Sequence, residues 1–221
     1  TALNNNCSGK HSGFVCLGCH MSGGTAGGGD VAGFLRGYVK PEHPVMREVT
    51  AALQATTGYD LERTARGTDG CSIPTYAIPL RHRAHAFARV ATGIGLSPGH
   101  ARAAQRLRQA VAKAPQMVAG TGRFDSRVMQ HFADRVFCKV GAEGVHSVAV
   151  PSLGLGLALK VEDGALRAQH AAVLVALQQL QVLPAELPPR LAEFVRKGIR
   201  NTRGAIVGEL RPVAADRAVP R

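Results

Sequence analysis

Val145-His-Ser-Val-Ala-Val150, then Pro151-Ser-Leu-Gly154, then Leu155-Gly-Leu-Ala-Leu159 is the stretch on which the fold turns. Val145, Val148 and Val150, and then Leu155, Leu157 and Leu159, alternate with other residues. The Pro-Ser-Leu-Gly segment between them supplies turn chemistry, so the stretch reads as an antiparallel hairpin. After it, Leu166, Val173, Leu174, Leu177 and Leu180 follow helical spacing and predict a helix from about Gly164 to Gln181. A shorter helix starts at Pro188-Pro189 and includes Leu191 and Phe194. Ala205 to Leu210 reads as a last strand.

Upstream of the hairpin the pattern is helical. Val45, Val49, Ala52 and Leu53 share a face, with Pro41 or Pro44 at the start and Gly58 where a C-cap belongs. Residues 81–93 form a further helix. Ser97-Pro98 opens the next, the serine accepting from free amides and the proline fitting the first turn. That helix is expected to turn Ala103, Leu107, Ala110 and Val111 inward. Asp125 is read as the cap of another, with Val128, Met129 and Phe132 inward. Ser22 to Gly33 holds many glycines and reads as a loose surface loop. Strands late in the chain, helices around them and no alternating parallel units define an α+β fold with an antiparallel sheet flanked by helices.

The chain has 221 residues, 45% of them hydrophobic and 19% charged, which suits one sizeable packed domain. No apolar run is long enough to span a bilayer, and the opening Thr1-Ala2-Leu3-Asn4 has no signal-peptide character. The formal net charge is +12. Its arginines are scattered rather than clustered, and aromatics make up only 5% with no Trp, so neither an electrostatic stripe nor a stacking platform for nucleic acid is present. Neither nucleic acid nor membrane is expected as a partner. Five cysteines, Cys7, Cys16, Cys19, Cys71 and Cys138, are an odd number for a disulfide framework. They fit a reducing compartment, and a cytoplasmic location is expected.

Four short patterns carry chemistry. In Cys7-Ser8-Gly9-Lys10-His11, residues three apart share a helical face, so Cys7 and Lys10 can converge. An ammonium lowers the pKa of a neighbouring thiol and raises its metal affinity; a helix cap with a surface lysine is the other reading, since lysine is not among the usual zinc ligands. Asp69-Gly70-Cys71 is either plain turn chemistry or a loop that delivers a metal ligand with an acid behind it. Lys139-Val140-Gly141, entering the hairpin, has the Lys-x-Gly form found beside nucleophilic serines, and also reads as a solvent-facing lysine. Cys16-Leu17-Gly18-Cys19-His20 matches the c-type haem attachment pattern. Met21 is too close in sequence to reach the opposite axial position, and a zinc reading of the CxxC would need a second pair that Cys71 and Cys138 do not form.

Five blocks in order resemble the rhizobial-type L-asparaginases, also called class 3 or asparaginase II. They are Asn5-Asn6-Cys7-Ser8-Gly9-Lys10-His11-Ser12-Gly13-Phe14, Lys40-Pro41-Glu42-His43-Pro44-Val45, Asp69-Gly70-Cys71-Ser72-Ile73-Pro74-Thr75, Val118-Ala119-Gly120-Thr121-Gly122-Arg123 and Lys139-Val140-Gly141-Ala142-Glu143-Gly144-Val145. The resemblance implies a fold like that of the serine β-lactamases and serine glutaminases, and hydrolysis of L-asparagine to aspartate and ammonia by a serine-lysine mechanism. It implies a zinc held by Cys7, Lys10 and Cys71, with Asp69 orienting the metal-bound water and His11 beside the metal lysine. Lys139 resembles the lysine paired with an active-site serine. The family places its nucleophilic serine, a Ser-x-x-Lys partner and a second serine ahead of the Asn-Asn-Cys block. The chain is therefore expected to be a C-terminal portion with its N-terminal part missing: an incomplete domain over 1–212 and a polar tail over 213–221. An amidohydrolase is expected, active with that missing part and a homodimer at full length; the alternative is a non-catalytic zinc-binding remnant of the fold, and a remote one is a c-type haem protein through Cys16-Leu17-Gly18-Cys19-His20. Cys16 and Cys19 lie outside the ligand pattern and are expected on a helix, idle. Cys7 and Cys71 are expected to bring their sulfurs within roughly 4 Å of each other, as ligands of one zinc do.

Overall fold

A computed structural model of the chain describes residues 5–24 and 29–213. The fold is mixed α+β with small antiparallel sheets, and the backbone gathers into two compact units, Thr1–Ala86 and Phe87–Arg221. No helix among the described residues is long and apolar enough to cross a membrane.

The first unit is built on helices α1 (Ser8–Met21), α2 (Val31–Leu35) and α3 (Pro44–Thr57), followed by the short strands β1 (Arg66–Thr68) and β2 (Pro74–Tyr76). α1 packs on α2 and α3. Gly18 is its buried point of contact: a Cβ there would stand 2.4 Å from Leu35 Cδ2 and 3.2 Å from Val45 Cγ2, so the helices approach where there is no side chain to hold them apart. α3 starts at Pro44 and ends at Gly58, whose φ of 62° is the left-handed C-cap conformation. β1 and β2 pair antiparallel, Thr68 opposite Pro74, and enclose the loop 69–73.

The loose loop expected over 22–33 is shorter than that. Val31 to Gly33 already belong to α2, started by Asp30, whose side chain accepts from Gly33 N. Residues 25–28 of that segment lie outside the described residues.

α4 (Leu80–Thr92) contains the boundary between the units. The second unit continues with α5 (Pro98–Lys113), α6 (Gln116–Ala119), α7 (Phe124–Phe132), strands β3 (Phe137–Val140), β4 (Val145–Val150) and β5 (Leu155–Lys160), helices α8 (Leu166–Gln179) and α9 (Pro189–Val195), and strands β6 (Lys197–Arg200) and β7 (Ile206–Leu210). β3, β4 and β5 form an antiparallel meander in that order, Cys138 opposite Val148 and Val148 opposite Leu157. Its core joins Val128 and Met129 of α7, Cys138, Val148 and Val150 of the sheet, Val173, Leu174 and Leu177 of α8, and Leu191 of α9.

Two local expectations change, and one strand is new. α5 is capped by Ser97, which accepts from His100 N, but its inward side is Ala104 with Arg108 and Val111, while Leu107 is 64% exposed. An arginine that lays its stem inward rotates the helix one residue from the purely apolar face. Asp125 is not the cap of α7; Arg123 holds that position, and Asp125 sits inside the first turn with its carboxylate buried. β6, with no apolar alternation in Lys-Gly-Ile-Arg, is exposed throughout and owes its extended form to pairing with β7.

Candidate functional site

The sequence patterns at Cys7–His11 and Asp69–Cys71 meet in the first unit. Asn5 starts α1 by accepting the Cys7 amide on Oδ1 at 2.8 Å and the Ser8 amide on its carbonyl at 3.1 Å. This Asx turn leaves Cys7 at the N-cap position, and one helical turn later Lys10 and His11 project from the same end.

The opposing piece is the β1–β2 loop. Asp69 Oδ1 accepts the amides of Cys71 at 2.8 Å and Ile73 at 3.3 Å, while Ser72 takes the left-handed backbone at φ 70°. The carboxylate thereby shapes the loop and aims Cys71 at α1. Lys10 Nζ donates to Cys71 Sγ at 2.8 Å and lies 3.5 Å from Asp69 Oδ2; the Cys71 thiol donates to the same oxygen at 3.1 Å. Cys7 lines the same cleft as Cys71 and acts on the Cys71 thiol to raise its pKa. Two thiols, an amine and a carboxylate thus form one connected cluster.

Its electrostatics are mutual. Burial acts against the Lys10 ammonium, but the Cys71 hydrogen bond and the nearby Asp69 charge outweigh it and raise its pKa. Burial also works against the Asp69 carboxylate; hydrogen bonds from the Cys71 thiol and the Cys71 and Ile73 amides outweigh it and hold its pKa below the ordinary value. For Cys71 burial and the hydrogen bond to Asp69 raise the pKa, with Lys10 pulling the other way. A divalent cation reverses this balance by taking the place of the shared protons, since a coordinating thiol is deprotonated outright.

His11 Nδ1 is 2.7 Å from Tyr38 Oη, and its ring meets Phe14 and Tyr38 edge-on at 5.8 Å. An open cleft of about 650 Å³ is lined by Asn5, Cys7, His11, Ser12 and Cys71 among others. A more apolar hollow of about 360 Å³ takes in Lys10, Phe14, Met46, Ile73 and Tyr76. Residues of the cluster thus line two largely apolar concavities, the usual surroundings of a small-molecule site. Cys16 and Cys19 both lie on α1, Cys16 exposed and Cys19 partly covered, with His20 exposed one residue on.

Lys139 is in the second unit, on β3 opposite Ser147, exposed, with Nζ donating to Val140 O at 2.7 Å. Gly141 follows the strand, and its amide donates to Val145 O at 2.7 Å across the turn.

A second polar group in that unit was missed in the sequence. Asp125, Cys138 and His146, at 1%, 0% and 0% exposure, have potential ligand atoms all within 4.8 Å of one another. The residues are ordinary strand and helix positions; the signal available was the hairpin register, which places Cys138 and His146 on one face because Cys138 pairs with Val148 and Val140 with His146.

Two thiols that line a cleft, bonded to an amine and a carboxylate beside it, on a frame of mixed α+β architecture, are donors of the kind that bind metals or polar small molecules. The chain belongs to the L-asparaginase II family, whose pattern matches residues 1–212, and the family name points to an asparaginase-type hydrolase. No curated protein matches the chain.

Proposed function

We propose that this protein is the zinc-site and lysine-bearing part of an L-asparaginase that releases ammonia from the side-chain amide of L-asparagine, on a fold of the serine β-lactamase and glutaminase kind. The observation that carries the reading is the 2.8 Å approach of Lys10 Nζ to Cys71 Sγ across 61 residues of chain, with Asp69 bonded to both. Nothing in plain turn or cap chemistry requires that meeting.

The donors fit a zinc ion in kind: two thiolates and one nitrogen leave a fourth position open, as in catalytic rather than structural sites. Cys7, Lys10 and Cys71 would hold the ion, whose chemistry when bound is to orient a polar ligand at that open position. Asp69 fixes Cys71 through its amide and accepts from whatever donor occupies the cleft. His11, anchored by Tyr38, presents its remaining ring nitrogen to the same space.

In the reaction read from the family resemblance, a serine hydroxyl adds to the amide carbon and gives up its proton to a lysine base. Ammonia leaves with a proton, and water cleaves the resulting ester to aspartate. Lys139 is assigned to serve one of the active-site serines: its amine can hold or move the proton at the serine oxygen, and Gly141 leaves backbone open for substrate.

Ammonia release from L-asparagine tests the reading, measured on the product of the whole coding sequence that contains these residues. Turnover lost by roughly a hundredfold or more in Lys139→Ala, the scale of an acid-base group, together with loss of zinc in Cys71→Ser, is the expected result. Full turnover in Lys139→Ala removes the assigned lysine. Bound zinc with no ammonia release from any form of the protein makes the cluster a binding site alone.

A further inference from the structure

We propose that Asp125, Cys138 and His146 form a second, buried site for a divalent transition-metal ion, zinc by the character of its ligands, which fastens α7 to the β3–β4 hairpin.

The three residues come from three elements: the first turn of α7, the middle of β3 and the start of β4. Two edges of the triangle already have the size a metal needs. Asp125 Oδ1 lies 3.1 Å from His146 Nε2 and 3.8 Å from Cys138 Sγ. Ligands on one tetrahedral zinc stand about 3.3 to 3.6 Å apart, from bonds of about 2.0 Å to nitrogen or oxygen and 2.3 Å to sulfur.

The hydrogen bonding is unfinished in a way that a cation completes. His146 is fully buried, yet neither Nδ1 nor Nε2 has a hydrogen-bond partner; the 3.1 Å approach to Asp125 is out of line for one. Asp125 Oδ2 accepts the Val140 amide at 2.7 Å, which fixes the carboxylate and leaves Oδ1 to the cluster. Beside it, Gln169 donates to Val145 O, the carbonyl preceding His146, and its own Oε1 is buried without a partner. Buried polar atoms of this kind are scarce in folded proteins and mark a missing partner.

Charge points the same way. A carboxylate, a thiolate and a neutral imidazole around a divalent cation sum to zero, the condition under which ionic groups are tolerated in an apolar core. The surroundings are such a core: Phe124 meets the His146 ring edge-on at 5.5 Å, and Val128, Val148 and Leu174 are fully buried in the same cluster. Carboxylate, thiolate and imidazole together suit zinc. Its three residues are fully buried, so the ion is held away from solvent and is bound as the unit folds.

Zinc content of the Cys7→Ser/Cys71→Ser protein, expressed in zinc-supplemented medium and purified by dialysis against a chelator, decides the matter, since those changes leave Phe87–Arg221 untouched. Expected is about one zinc per chain, with X-ray absorption showing a single sulfur ligand. Adding Cys138→Ser or His146→Gln is expected to lower zinc content roughly tenfold or more, the scale of losing a ligand or its support. Circular dichroism identifies any variant that has not folded; the doubly substituted parent, with its one-sulfur spectrum, then stands alone as the test. No zinc in that parent overturns the proposal. So does zinc with two sulfurs, which assigns the ion to Cys16 and Cys19, or with none. The fate of the zinc that Cys7 and Cys71 would hold is read separately, as the difference from the unsubstituted protein.

Discussion

The two thiol-bearing clusters are built on opposite plans. Cys7, Lys10, Asp69 and Cys71 sit at a helix start and in a five-residue loop, partly exposed, and satisfy one another by hydrogen bonds. Asp125, Cys138 and His146 sit on a helix and two paired strands, fully buried, with the imidazole unsatisfied. The first borders a cleft and is already complete in its own hydrogen bonds. The second has nowhere to move, so a missing partner stays missing until something small and positive fills the gap. Accessibility and self-sufficiency go together in the first, burial and incompleteness in the second.

That contrast fails or sharpens under substitution. The largest effect is expected at Gly144, in the β3–β4 turn that sets the register of Cys138 and His146. Its φ is +70°, and a Cβ would stand 2.9 Å from Val161 Cβ and 3.0 Å from the Gly164 backbone. Gly144→Ala should cost about 2–3 kcal/mol in denaturant unfolding, from strain at positive φ plus overpacking; a loss under about 0.5 kcal/mol would show that the frame of the buried cluster is as pliable as the loop.

An intermediate effect belongs to Asp69. Asp69→Ala removes the acceptor of the Cys71 and Ile73 amides and of the Lys10 and Cys71 side chains. Zinc affinity at the Cys7–Lys10–Cys71 cluster should fall by roughly 10- to 100-fold in a competitive chelator titration, the range for groups that orient ligands. Unchanged affinity would mean that the loop holds Cys71 without its carboxylate. The smallest effect is at the neighbouring Gly70, where a Cβ meets nothing within 4 Å. Gly70→Ala should shift stability by less than about 0.5 kcal/mol, measured in the same unfolding experiment. A cost like that of Gly144→Ala would erase the distinction between a tolerant loop and a rigid turn.

What could be read beforehand follows the same division. The β4–β5 hairpin showed through the alternation of Val145–Val150 and Leu155–Leu159, α3 through Pro44 and Gly58, and α5 through Ser97. These are local signals that the backbone obeys locally. Cys7, Lys10 and Asp69-Gly70-Cys71 were legible as small patterns, though residue spacing alone left cap and turn chemistry as alternatives. Asp125 was misread as a cap because an acid at a helix start is a common cap; its partner, Val140 N, becomes visible only when α7 lies on β3. His146 gave no sign, since a histidine among valines in a strand looks like any other alternation. Its meaning depends on the register that sets it across from Val140. β6 was invisible because its pairing with β7 is nearly all that defines it.

The separation of Lys10 from Cys71 has a consequence for the order of events as the polypeptide is made. Synthesis releases Lys10 long before its partner 61 residues on, whereas Cys138 follows Asp125 by only 13. Closing the longer loop costs about 1.4 kcal/mol more in chain entropy by the logarithmic rule. The interior contact can therefore close soon after its own two residues are made, while Cys7, at the very start of the chain, keeps its thiol exposed to oxidants until the distant Cys71 has been made and the first unit closes. Any oxidative damage acquired during biogenesis should accordingly fall on Cys7 before it reaches Cys138.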